Sequence, residues 1–127
     1  MAAAILDQGK TNIRDAIRGV AGNAVSHVAV STASDAFAAN QTAYDPTAGT
    51  NLIKAATFTV VAFDTLDCTI SINGTTEFTG LSIRTIGMGK GPLRTDAISR
   101  SVRSVGIGTQ AGDTFTIGVR YQVADNS

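Results

Sequence analysis

Residues 114–123 alternate without a break. Phe115, Ile117, Val119, Tyr121 and Val123 take every second position, and Thr114, Thr116, Gly118, Arg120 and Gln122 take the others. A period of two puts the apolar side chains on one face of a strand, whereas a helix would scatter them round its circumference. Leu66, Cys68, Ile70 and Ile72 alternate with Asp67, Thr69 and Ser71 as far as Asn73-Gly74. That dipeptide is a hairpin signal, with Phe78, Leu81, Ile83 and Thr85 on the return side. A change of phase at Ile86 and Met88 predicts a bulge or strand end near Gly87, and glycine-rich residues 87–92 predict a turn. Between 93 and 107, Ile98 and Val102 keep one phase while Val105 and Ile107 keep the other, which predicts a bulge at Arg103 or Ser104. Residues 108–113 read as the turn into the last strand.

Residues 57–63 are β-branched and aromatic, and Val25, Val28 and Val30 mark a first strand. One helix is expected, over residues 9–19. There Ile13, Ala16, Ile17 and Val20 fall at i, i+3, i+4 and i+7, opposite Lys10, Arg14, Asp15 and Arg18. Asp7 is suited to cap its start, Gly19 to end it, and Gly22-Asn23 to reverse the chain. The stretch 31–51, rich in Ala, Ser, Thr, Asn, Asp and Gly around Tyr44-Asp45-Pro46, reads as a long connection. Loops of this length are uncommon in compact domains and are usually either disordered or functional. A neighbouring subunit is expected to order this one. The elements together predict a mainly β fold, an antiparallel β-sandwich or jelly-roll-like domain with one short N-terminal helix. It is expected to be a single domain over 1–127, with an arm and helix at 1–22, the loop at 31–51 and the β core at 52–127.

Composition narrows what such a domain can do. Hydrophobic residues make up 43% of the 127 residues and charged residues 16%, the latter well below the roughly 25% of an ordinary soluble domain. A surface of Thr, Ser, Gly, Ala and Asn is cheap to desolvate, which favours assembly. Ten Lys and Arg balance ten Asp and Glu, and that argues against a nucleic-acid wrap or an anionic-membrane surface, both of which need cationic excess. One cysteine, Cys68, excludes an intrachain disulfide; in phase with Leu66 and Ile70, it reads as a buried small hydrophobe. The apolar run at 1–6 is shorter than a signal-peptide core, and no stretch approaches the ~20 apolar residues of a membrane span. The sequons at Asn40 and Asn73 are therefore expected to be chance matches.

The candidate chemistry is sparse. Gly9-Lys10-Thr11 resembles the end of a phosphate-binding loop, but Ala4 stands where its first glycine would be. In residues 87–92, Lys90 is followed by Gly91 rather than by a hydroxyl residue that would bind magnesium. His27, the only histidine, could serve a small hydrolase with Ser26 or Asp35, yet no serine sits in a nucleophile-elbow pattern. One His, one Cys and scattered acids offer no metal-ligand spacing, so no cofactor or metal is expected. Arg94, Arg100, Arg103 and Arg120 would cluster if the last two long strands paired as a hairpin, either as a salt-bridged interface or as a charged strand edge.

The order of these signals resembles a loose family of tailed-phage structural proteins found among tail-fibre, baseplate and related virion components. The matching stretches are residues 9–19 (GKTNIRDAIRG), 27–37 (HVAVSTASDAF), 81–88 (LSIRTIGM) and 99–123. The chain departs from the family pattern at Ser31-Thr32-Ala33, where a Gly-Thr-Gly-type turn is usual, and at Thr85-Ile86, where an acidic residue is usual. The resemblance implies a virion structural role, commonly through trimers or higher rings. The expected function is thus a non-enzymatic particle component, made in the host cytoplasm, that binds copies of itself and other virion proteins. A tail-associated place is preferred, with capsid decoration or cement as the alternative. The candidate interface comprises Phe37, Tyr44, Arg94, Arg100, Arg103, Thr114, Thr116, Arg120 and Gln122. A second class of function, a carbohydrate- or receptor-binding module for a host-surface glycan, would rest on Tyr44 and Phe37 as aromatic platforms.

Overall fold

A computed structural model of the chain describes residues 2–9, 11, 13, 24–36, 38–47, 49–62 and 65–122, with the backbone alone at 2–5 and 121–122. Among the described residues, eight strands form two antiparallel sheets: β1 (Ala2–Ile5), β2 (His27–Ser31), β3 (Asn51–Ala55), β4 (Thr57–Ala62), β5 (Thr65–Asn73), β6 (Ser82–Gly89), β7 (Ala97–Gly108) and β8 (Thr114–Gln122). The larger sheet has the order β1-β7-β6-β2-β3 and the smaller β4-β5-β8. The fold is mainly β and sandwich-like, as the alternation implied. A helical segment begins at Asp7 and includes Gly9, Thr11 and Ile13. Asp7, expected as its cap, is itself in the first turn, and the rest of the predicted helix, with Gly22-Asn23, lies outside the described residues.

The core lies between the sheets. Val28 and Val30 of β2 and Ile83, Ile86 and Met88 of β6 face Cys68, Ile70 and Ile72 of β5 and Ile117 of β8, all of them buried. Leu52, Leu66, Phe115 and Val119 pack around them. On β8 the alternation holds as read: Ile117 is buried and Phe115 and Val119 half-buried, while Thr114, Thr116, Gly118 and Arg120 are exposed.

Two pairings differ from expectation. β5 and β6 do not form a hairpin. Asn73-Gly74 is a turn, but it carries the chain from the small sheet to the large one, while β5 pairs with β8 from Thr65↔Gln122 to Asn73↔Thr114. The crossover 74–81 is held by Thr109, whose hydroxyl donates to Phe78 O and lies 3.0 Å from Leu81 O, and by Gly74 N donating to Asp113 O at 2.7 Å. Lys54 ties it to β3, with Nζ 3.1 Å from Glu77 Oε1. β7 and β8 likewise lie in different sheets, so the four arginines do not cluster. The bulge expected in β7 is present: Ile83↔Ile107 is followed by Thr85↔Val102, so β7 loops out between these pairs. Arg84 Nε donates to Arg103 O at 2.8 Å and holds that bulge. The other irregularity of β6 falls between Met88 and Gly89, at its end. The strand expected at 57–63 is present as β4 and is preceded by a further strand, β3, because the chain passes at Ala56 from the large sheet to the small one.

The loop 32–50 covers the second face of the large sheet. Its ends are joined by Thr32 N donating to Thr50 O at 3.0 Å, and Asp35 accepts from Thr47 N and Oγ1 across it. Tyr44 is 0% exposed and packs with Leu6, Ala29 and Ala97. Its ring lies on Gly87 and Gly89, where a Cβ would collide with it, and its hydroxyl donates to Gly91 O at 3.1 Å. Arg100, 1% exposed, donates from Nε to Tyr44 O (3.0 Å), from Nη1 to Gln41 Oε1 (2.7 Å), and from Nη2 to Asp35 O (3.1 Å) and Thr85 Oγ1 (3.2 Å). Burial pulls its pKa below the ordinary arginine value, and the charges of Asp35 and Asp45 oppose that fall. Where a neighbouring subunit is expected to order the loop, the chain's own sheet already packs against it: a planar cation with donors on three nitrogens satisfies inward-turned loop acceptors.

Two stability predictions follow from this face. Arg100→Met should lower unfolding free energy by about 3 kcal/mol, because several buried acceptors lose their donor, and Arg100→Lys should restore little, having no planar fork; urea denaturation measures both. Gly89→Ala should cost about 1–3 kcal/mol by overpacking. The added methyl meets the Tyr44 hydroxyl as well as Asp96 O and the ring, and because one of these contacts goes with the hydroxyl, Gly89→Ala combined with Tyr44→Phe should be somewhat less destabilised than the sum of the singles, as read from a double-mutant cycle.

Candidate assembly surface

The small sheet has one face on the core and one in solvent. Cross-strand rows set the outer face: Thr59, Asp67 and Arg120; Thr57, Thr69 and Gly118; then Ser71 beside Thr116 and Asn73 beside Thr114. Short β-branched hydroxyl side chains suit a pleated half-exposed surface, and rows of them make it flat. Its charged members, Asp67 and Arg120, neutralise each other through two hydrogen bonds, Nε to Oδ1 at 2.8 Å and Nη2 to Oδ2 at 3.0 Å. The bonds from Arg120 hold the Asp67 carboxyl below its ordinary pKa, and Asp67 raises that of Arg120. Where Gly118 has no side chain the face dips into a shallow open depression lined by Asp67, Thr69, Gly118, Val119 and Arg120.

This face runs into β4, an edge strand exposed at all six positions and without a charged residue. Phe58 and Val60 pair with Cys68 and Leu66, so they lie on the core side of their sheet. They are nevertheless 44% and 77% exposed, because the opposing sheet does not cover them. Val61, the extra residue of a bulge between Val60 and Ala62, is also exposed. Edge strands of soluble proteins are usually blunted by lysine, proline or a bulge. Here only the bulge is present.

The candidate interface residues separate into groups. Thr114, Thr116 and Arg120 lie together on the outer face of the small sheet, as expected. Phe37 and the side chain of Gln122 lie outside the described residues. Tyr44 and Arg100 are corrected: both are buried within the chain and are internal anchors, since the loop that carries Tyr44 folds onto the face that carries Arg100. Arg94 is half-exposed but turned inward, with Nε 2.6 Å from Oδ1 of the buried Asp45 and Nη2 donating to Pro46 O at 2.9 Å. Asp45 also accepts from Asn51 Nδ2 at 3.0 Å. Arg103 is half-buried beside its own bulge. Sequence reasoning places a strand at 57–63 but does not mark it as an exposed edge. The absence of charge between Thr57 and Ala62 was visible, but alternation alone does not tell an edge strand from a central one.

The remaining chemistry is quickly placed. Ser26 Oγ lies 2.6 Å from His27 Nδ1, while Asp35, the acid considered with them, is bonded to Thr47 across the loop. Cys68 is buried, and its thiol pKa is raised by burial and by the nearby Asp67 charge. Lys90 donates its backbone N–H to Asp96 O in the turn after β6. Among the described residues, no three His, Cys, Asp or Glu side chains are gathered closely enough to hold a metal ion, and no helix is long and apolar enough to cross a membrane. With Tyr44 buried, the glycan reading loses the loop tyrosine it relied on. Comparison with known proteins returns no match to a family model, a curated protein or a solved structure.

The Asp67–Arg120 pair gives a prediction for acid. A carboxylate whose pKa is depressed in the folded state contributes above its unfolded pKa and loses that contribution as pH falls through the folded value. Both groups are solvent-exposed, so the effect on stability should be small. The Asp67 carboxyl should titrate by NMR below an ordinary aspartate, and Arg120→Gln should move its midpoint upward. An unchanged midpoint would show that the pair does not persist in solution.

Proposed function

We propose that this protein is a non-enzymatic structural component of a tailed-phage particle, tail-associated, acting by assembly with copies of itself and with other virion proteins. The observation that carries the reading is the threonine-rich outer face of the small sheet, its one charged pair self-neutralised, running into the uncharged edge strand β4 with its exposed apolar side chains. Covering such a surface costs little desolvation, and exposed apolar side chains beside it gain from being covered. The resemblance to tail-fibre and baseplate components, carried by residues 9–19, 27–37, 81–88 and 99–123, suggests the kind of assembly. An internally anchored loop also supports a structural role, since Arg94 and Arg100 are engaged in holding the fold rather than presented to a ligand.

Antibody-gold labelling of purified particles tests the proposal. Signal along the tail or at its tip is expected. Signal confined to the head would replace the tail assignment with capsid decoration, and absence of the protein from washed particles would end the virion reading.

A further inference from the structure

We propose that β4 is a homotypic pairing edge, on which a second copy of this chain adds its own β4 antiparallel across a two-fold axis. The inference deepens the assembly reading above by naming the strand that makes contact between copies.

β5 occupies one side of β4, and in the described residues no strand pairs with the other side, so that side's backbone donors and acceptors are open. The bulge at Val61 limits the regular stretch to residues 57–60. A two-fold axis through Thr59, normal to the sheet, sets Phe58 opposite Val60 of the partner subunit and Val60 opposite the partner's Phe58. Both pairs then fall on the core side, where these side chains are 44% and 77% exposed in one copy. Aromatic pairs with β-branched residues are among the favourable cross-strand combinations. The same axis joins the two small sheets into one of six strands, with both core faces on one side.

The choice of a second copy over a foreign partner rests on charge. An edge without charge cannot select a different protein by sign, and it carries no like charges to repel its own copy. A short strand pair buries less than the roughly 1,000 Å² of a stable interface. The dimer should therefore dissociate on dilution and be populated where copies are held close together, as in an assembled array.

Sedimentation velocity of the full chain over a concentration series reaching millimolar should show a monomer–dimer equilibrium. Val60→Lys, at an exposed position, should weaken it by roughly tenfold or more with an unchanged circular dichroism spectrum. Thr59→Cys should give a covalent dimer on oxidation, since directly paired residues lie within disulfide reach, whereas the wild type, whose Cys68 is buried, should not. A monomer at every concentration, a trimer, or a dimer indifferent to Val60→Lys would overturn the proposal. Should Val60→Lys unfold, the Thr59→Cys cross-link decides alone. Pairing by a protein absent from purified particles would remove the virion role and leave the interface standing; presence in particles without pairing would do the reverse.

Discussion

The guanidinium of Arg100 is the contact on which the architecture depends. It projects from β7 onto the face of the large sheet that points away from the core, and it donates to Tyr44 O, Asp35 O, Gln41 Oε1 and Thr85 Oγ1. A loop of this length carries many backbone polar groups, and it can lie on a sheet only if those turned inward find donors. Lysine, with a single point charge, could not reach acceptors spread over several residues; the arginine fork can. Once the carbonyls of Tyr44 and Asp35 are fixed, the Tyr44 ring drops onto Gly87 and Gly89, and Asp45 comes within reach of Arg94.

That anchor explains why the two sheets look different. The large sheet is covered twice, by the small sheet on one side and by the loop on the other. His27–Ser31 is consequently buried at four successive positions, and β6 loses its alternation after Arg84. The small sheet is covered once, and β5 and β8 keep a clear period of two. Glycines at 87 and 89 in β6 belong to the same logic, since a side chain at either position would lift the tyrosine from the sheet.

Legibility in the sequence follows from this difference. The strands of the small sheet are readable because alternation records a face exposed to water, and the same alternation marks Cys68, Ile70, Ile72 and Ile117 as core. The bulge in β7 was readable from the change of phase between Val102 and Val105. Pairing was not. Asn73-Gly74 permits a hairpin, and the chain uses it instead as the first turn of a crossover whose geometry depends on Thr109, some thirty-five residues away. The anchoring of residues 32–50 was also hidden, because an arginine in a strand reads as a surface residue unless the acceptors around it are known, and those lie 15 to 65 positions away in the chain. Of the candidate interface, the threonines and Arg120 were found because their exposure follows from the phase of β8. Tyr44 and Arg100 were misplaced because their burial depends on the loop.

The low charge of the chain acquires a sharper meaning once its ions are located. Arg100 is buried, Arg94 is spent on the buried Asp45, Lys54 on Glu77, and Arg120 on Asp67. The groups that might have given the small sheet a charged surface are therefore neutralised in pairs or turned inward. Apart from the Asp67–Arg120 pair, what reaches solvent there is hydroxyl, methyl and aromatic surface, with β4 at its margin. Net charge and charged edges are what ordinarily keep β proteins apart. With the Asp67–Arg120 pair self-neutralised, β4 uncharged and the long loop satisfied internally, the β4 edge and the outer face beside it are the surface with most to gain from contact with another molecule.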